Sequence, residues 1–254
     1  MPEHGNAFLA NPTVFLAANA IGVQQVDVVY APPNWQNVDD ATYNFSIRDA
    51  VGDNIPKLRM ENPIVPFGVE VVVAKWCNTS QGAHAGRYDE ISYCDFSAAP
   101  APGAPTVVFT GAMNGCGFVV VTAVPALAGG YAIPALAAGH LRLYHDRRLA
   151  TLAAWVAAGF TVQFAAYAGA PPPGGMMPGG INVADYNPHN YPWNHNDVNG
   201  APQIRAVTNF LAYDGVNWVF HSRHFHENGI THALSAVDTP PGVVGANSTQ
   251  AINI

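Results

Sequence analysis

Charge is what this sequence has least of. Ten Lys and Arg and 17 Asp and Glu make up 11% of its 254 residues, about half the usual share of a globular domain. Set beside 49% hydrophobic residues, so little charge excludes a self-repelling disordered chain and leaves ample material for a core. Positive charge is scarcest: the net charge is −7 and Arg147–Arg148 is the one adjacent basic pair. That removes the basic stripe of a nucleic-acid binder and gives an anionic membrane little to hold. Long apolar runs are missing too. None reaches the roughly 18 residues a membrane span takes, so no membrane insertion is expected. The opening, MPEHGNAFLANPTVFLAANA, has no basic n-region, so a secretory signal peptide is not expected and synthesis in a cytoplasm is. Cysteine is limited to Cys77, Cys94 and Cys116. The count is odd, and although Cys77 and Cys94 could pair, a chain this long needs no such staple; the thiols read as reduced.

Glycine and proline, by contrast, are plentiful at 24 and 21. They punctuate short β-branched and aromatic runs, the pattern of an all-β or β-rich α+β chain. Strands are expected over Val23–Tyr30, Val69–Trp76, Glu90–Phe96, Thr106–Thr110, Gly117–Val124, Leu141–His145, Phe160–Tyr167, Ile204–Tyr213, Val216–His221 and His232–Val237. Asp214-Gly215 between two alternating runs predicts a hairpin with a two-residue type I′ turn. One helix is expected in DRRLATLAAWVAAGF, where Leu149, Leu152, Ala153 and Val156 recur at helical spacing and Gly159 supplies the stop. The Ala-rich segment Ala123–Ala138, broken by Pro125, Gly129, Gly130 and Pro134, reads as a flexible insertion. Two long loops are expected, about 97–105 and 168–200, and loops of that length are functional or disordered. The prolines near 171–180 mark the best linker candidate. The strands beyond them are needed to complete a sheet, however, so residues 1–254 read as a single domain.

The segment with chemical content is VVFTGAMNGC, Val107–Cys116, followed by LRLYHD, Leu141–Asp146. A strand ends in a small-residue turn that delivers a cysteine, and a later strand delivers a histidine. A nucleophilic thiol needs partial exposure and a neighbouring base or positive charge. Gly111, Ala112, Asn114 and Gly115 leave room for a substrate carbonyl, and their turn N–H groups can face an oxyanion. Leu141, Leu143 and His145 share one strand face, so the His145 imidazole points where the leucines point. A buried core thiol and a hydrogen-bonded core histidine remain the alternative reading of the same residues.

FTGAMNGC…LRLYHD resembles the core of the cytotoxic necrotizing factor and Burkholderia lethal factor group of glutamine deamidase toxins. Those toxins carry an LSGC-type turn after an apolar strand and then a histidine. In the lethal factor branch a threonine precedes the cysteine by the interval that separates Thr110 from Cys116. MNGC keeps only the last two residues of that turn, Gly115 and Cys116. The gap to the histidine is longer here, with Ala123–Ala138 as the insertion, and the resemblance covers about forty residues. It implies a β-rich α+β fold, a sandwich of two mixed β-sheets with a few flanking helices and long loops. It also implies a protein-glutamine deamidase with Cys116 as nucleophile and His145 as its base. Thr110 would orient the imidazole, and the Cys116 N–H and a turn amide, with Asn114 and Gly115, would form the oxyanion site. No cofactor or metal is implied. The expected partner is a host protein carrying the target glutamine, met by a monomeric bacterial toxin or effector secreted or delivered into a host cell. The relatives' targets, Rho-family GTPases and a translation-initiation helicase, do not carry over, because substrate choice sits in surface loops that do not match.

Other clusters offer rivals. His140 competes with His145 for the role of base but faces the other side of the strand. His221–His232, HSRHFHENGITH, puts His224 and His226 on one face with Glu227 and His232 nearby, a donor set zinc can use, although no HExxH spacing exists. His189, Tyr191, Trp193 and His195 lie in a loop suited to a protein surface. Cys77 and Cys94 follow no glycine turn and read as core thiols. The rival functions are another Cys–His hydrolase, a peptidase or amidase, and a non-enzymatic β-sandwich binding protein.

Overall fold

The apolar runs VVFT and GFVVV become strands buried on both faces, as continuous rather than alternating hydrophobicity demands. The structure, a computed structural model, describes residues 3–19, 21–22, 41–49, 53, 55–61, 68–78, 84–111, 113, 115–147, 151–167, 176–177, 181–185, 202–231, 233–236 and 249–252. In chain order these form α1 (Gly5–Ala10), α2 (Pro12–Ala18), β1 (Ala41–Arg48), β2 (Lys57–Met60), β3 (Val72–Cys77), β4 (Tyr93–Ser97), β5 (Val107–Thr110), β6 (Gly117–Ala123), β7 (Leu127–Ala128), β8 (Tyr131–Ala132) and β9 (His140–Asp146). There follow α3 (Leu152–Ala157), β10 (Thr161–Tyr167), β11 (Met176–Met177), β12 (Ile181–Asp185), β13 (Gln203–Tyr213), β14 (Trp218–Asn228), β15 (Leu234–Ala236) and β16 (Thr249–Ile252).

The chain is β-rich α+β, as expected. Sheet A has the order β15-β14-β13-β5-β3-β1-β2, with β16 sharing the edge of β14, and sheet B the order β11-β12-β10-β6-β9-β4. Each contains one parallel step, β3–β5 in sheet A and β10–β12 in sheet B. The two sheets face each other across one apolar layer. Val108, Leu211, Trp218 and Phe220 of sheet A meet Phe96, Phe118, Val120, Leu143 and Phe164 of sheet B. The Phe118 and Phe220 rings pack edge to face with centroids 5.0 Å apart.

Each sheet also has a covered outer face. Helices α1 and α2, six and seven residues long, are too short to persist alone. They are held because Phe8 packs among Phe15, Phe109 and Phe210. Asn11 caps α2 by accepting the Val14 N–H at 3.0 Å, and Pro12 takes the first helical position, where its missing N–H costs nothing. Over sheet B, Trp155 and Leu152 of α3 pack on Tyr144, Phe160 and Tyr88.

Several expectations need correction. α3 starts at Leu152, capped by the Thr151 hydroxyl, and Val156 is exposed; the buried stripe is Leu152 and Trp155. The hairpin turn centres on Gly215-Val216: Tyr213 pairs with Trp218, and the Asp214 carboxylate accepts the N–H groups of Val216 and Asn217. Ala123–Ala138 is a held element rather than a flexible insertion. β7 and β8 close over Gly129-Gly130, both at positive φ, as a tight hairpin requires. The Arg142 guanidinium then donates to the carbonyls of Pro134 and Ala135 while it pairs bidentately with Asp95. Within 168–200, β11 and β12 are strands, and α1, α2, β1, β2 and β16 are further elements absent from the expected set. Val23–Tyr30, Leu149, His232 and the loop residues His189, Tyr191, Trp193 and His195 lie outside the described residues.

Candidate functional site

Cys116 ends the turn between β5 and β6, on opposite sheets. Gly115 makes that turn possible with φ of +103°; a Cβ there would meet nothing within 4 Å, so conformation and not space selects glycine. The turn is pinned through Met113, whose N–H donates to the Val207 carbonyl at 2.8 Å and whose carbonyl accepts the Val207 N–H at 3.0 Å. Ala112 and Asn114 lie outside the described residues. Of the three cysteines, none in a disulfide, Cys116 alone is partly exposed; Cys77 and Cys94 are fully buried.

Strand register brings His145 to the same side as Cys116. Phe118 pairs with His145 and Gly117 with Asp146, so Cys116 stands one diagonal from His145. Phe118, Leu141 and Leu143 belong to the inter-sheet layer and Cys116 packs against it. By strand alternation His145 points into that layer as well, as the leucine spacing implied. Diagonal neighbours of this kind are about 7–8 Å apart. His145 is fully buried, and its backbone N–H donates to the Ser92 carbonyl at 3.2 Å. Burial, helped by the Arg147 charge, pushes its imidazole from the ordinary 6.5 down to about 3. The ring is therefore neutral at pH 7, and its burial opposes taking up a proton.

Thr110 closes β5, fully buried, and its hydroxyl lies 2.9 Å from the Gly111 carbonyl and 3.0 Å from the Asn209 carbonyl. The hydroxyl's proton serves those carbonyls, which leaves its lone pairs as acceptors. His140 opens β9 on the opposite face, exposed, 3.2 Å from the Ala138 carbonyl. The buried Asp146 lies on the outer face too, where Gly117 makes room for the Tyr167 ring: a Cβ at Gly117 would come within 3.0 Å of it. In the other histidine cluster, His221 is buried against Phe210 and is pushed down to about 3 by burial and by the Arg223 charge. His224 projects inward and Glu227 outward, so the cluster divides between two faces. Among the described residues no three His, Cys, Asp or Glu side chains gather to hold a metal ion. An open depression of about 400 Å³, lined by His84, Ala85, Gly86, Arg87, Gly129 and Tyr131, takes no residue from the Cys116 turn. No described helix is long and apolar enough to cross a membrane.

Two residues that the sequence reading passed over are Asn209, fully buried beside Thr110, and Ser222, fully buried on the far side of Asn209. A signal was present for the first: Asn209 alternates with the inward residues Val207 and Leu211, which marks it as a polar group turned toward a core. No family model matches the chain, and no curated protein matches it either.

Proposed function

We propose that the chain is a cysteine-dependent amidohydrolase acting on a glutamine side chain of a protein. What supports this most is that the partly exposed thiol on a glycine turn and an inward neutral imidazole stand one diagonal apart on neighbouring strands. The Thr110, Cys116, His145 order adds to it. Cys116 gives its proton to His145 as sulfur attacks the carboxamide carbon, with the oxyanion facing the N–H groups of Cys116 and Gly115. His145 passes that proton to the departing nitrogen, and the C–N bond breaks to release ammonia. Water then gives a proton to His145 and attacks the thioester; glutamate leaves, and the thiol takes its proton back. Thr110, through a lone pair or its carbonyl, holds the ring. The resemblance extends the proposal to a monomeric effector delivered into a host cell.

A non-enzymatic binding protein is the second reading, favoured by the complete burial of His145. Two measurements separate them: ammonia release from a blocked glutaminyl-glycine and from casein, and one-dalton gains on glutamines of a eukaryotic cell lysate. Either should occur with the native chain, vanish with Cys116→Ala and fall at least about a hundredfold with His145→Ala, the scale of general acid–base catalysis. Chain cleavage in place of ammonia release moves the reading to a peptidase. No product at all, with Cys116 no faster toward iodoacetamide than a small free thiol, overturns it in favour of the binder.

A further inference from the structure

On the inward face of sheet A, Val108, Leu211, Trp218 and Phe220 form the apolar layer, and toward the Cys116 turn polar positions follow them. Four strands carry thiol or polar side chains in one row: Cys77 on β3, Thr110 on β5, Asn209 on β13 and Ser222 on β14. Cys77 pairs with Thr110 and Asn209 with Ser222, and the Thr110 hydroxyl on the Asn209 carbonyl joins the two pairs. All four side chains are fully buried. Sheet B presents His145 and Cys116 to this row. The Cys77 sulfur lies 3.6 Å from the Leu143 carbonyl and 4.0 Å from the Ser92 carbonyl that accepts the His145 N–H. Phe118, which pairs with His145, meets Phe220, two residues before Ser222 on the same face.

Two members of the row are poorly satisfied. Asn209 Oδ1 and Ser222 Oγ accept or donate no hydrogen bond among the described residues. The Asn209 Nδ2 reaches only the Met113 thioether, at 3.0 Å, a weak acceptor. Buried polar side chains almost always have partners, and an orphaned one is costlier than an apolar replacement of the same shape. Two side by side, under the turn that carries the exposed thiol, are better matched to a ligand than to stability.

On the amidohydrolase reading, we infer that Asn209 and Ser222 form the carboxamide-recognising end of the Cys116 site. A primary carboxamide presents one acceptor and two donors, and so does asparagine, so the two pair side by side through two hydrogen bonds. Ser222 takes the remaining N–H or carbonyl lone pair. The Met113 thioether holds the place the substrate oxygen takes and swings aside with its unbranched side chain. A carboxylate product sets a second acceptor against Asn209 Oδ1 and is released.

The test uses two alkylating reagents of equal size, iodoacetamide with a carboxamide and iodoacetate with a carboxylate. Their rates at Cys116 are compared by peptide mass mapping on the native chain, Asn209→Leu and Ser222→Ala, with glutathione as the free thiol. The native ratio should exceed that of glutathione by about tenfold, the factor one net hydrogen bond supplies. Asn209→Leu should return it to the glutathione value and Ser222→Ala should lower it, with thermal midpoints unchanged or raised. A native ratio equal to that of glutathione, or a preference that survives Asn209→Leu, overturns the inference. The readout needs no turnover. Preference without ammonia release removes the amidohydrolase and keeps the subsite; Cys116-dependent release without preference does the reverse.

Discussion

Acidification from pH 7 to pH 5 should cost this fold stability through two histidines. His145 and His221 are fully buried, and burial pushes each from the ordinary 6.5 to about 3. In the unfolded chain both titrate near 6.5. The folded state therefore binds the proton less readily than the unfolded one, so the stability they supply is complete above pH 6.5 and is lost as pH falls toward 3. Each imidazole removes about 1.4 kcal/mol per pH unit in that window, hence about 2 kcal/mol between pH 7 and pH 5 and about 4 kcal/mol for the pair. A whole domain holds only about 5–15 kcal/mol. The carboxyls of Asp89 and Glu90 are shifted downward, Asp89 by its Arg87 hydrogen bond and Glu90 by the His84 backbone N–H. Urea unfolding at pH 7, 6 and 5 reads the slope directly. His221→Phe, which keeps a ring on Phe210, should halve it, and adding His145→Gln should flatten it. A native slope below about 0.5 kcal/mol per unit, or one unchanged in the double variant, would falsify the assignment of both rings as buried and neutral.

Arg142→Met leaves Asp95 without its bidentate partner and frees the Pro134 and Ala135 carbonyls. It should cost about 3 kcal/mol in urea unfolding and expose 123–138 to limited proteolysis; wild-type resistance there refutes the latch. Gly129→Ala should lower the thermal midpoint where Gly130→Ala does so much less, because a Cβ at Gly129 would lie 2.1 Å from the Gly86 carbonyl oxygen and one at Gly130 meets nothing within 4 Å.

Where burial is two-sided, the sequence announced it. Val107–Phe109 and Phe118–Val121 are unbroken apolar runs because α1, α2 and α3 cover faces that a simple sandwich leaves wet. The overlooked elements carried subtler marks. In β1, Tyr43, Phe45 and Ile47 alternate with Asn44, Ser46 and Arg48, a period of two that fits one apolar face over α1 and one polar face. Asn11-Pro12 is a helix-start signal, but six or seven residues do not sustain a helix without a sheet beneath them. Leu127-Ala-Gly-Gly-Tyr-Ala reads as a hairpin turn once Pro125 and Pro134 are seen to flank the strands rather than interrupt them. The site divides in the same way. Leucine alternation was enough to turn His145 inward, but Asn209 and Ser222 come from strands much further along the chain, and only pairing register brings them under the Cys116 turn.

That division of labour between the sheets links stability to chemistry. On the proposed reading the nucleophile, in the turn leading into β6, and the base, on β9, lie on the sheet B side and the polar row on sheet A, so the site would exist only while the inter-sheet layer is closed. Protonating His145 removes the base and at the same time places a charge in that layer. An acid limb governed by a solvent-exposed imidazole would fall near 6.5; one governed by His145 falls only toward 3, at the low end of the range over which urea resistance is lost.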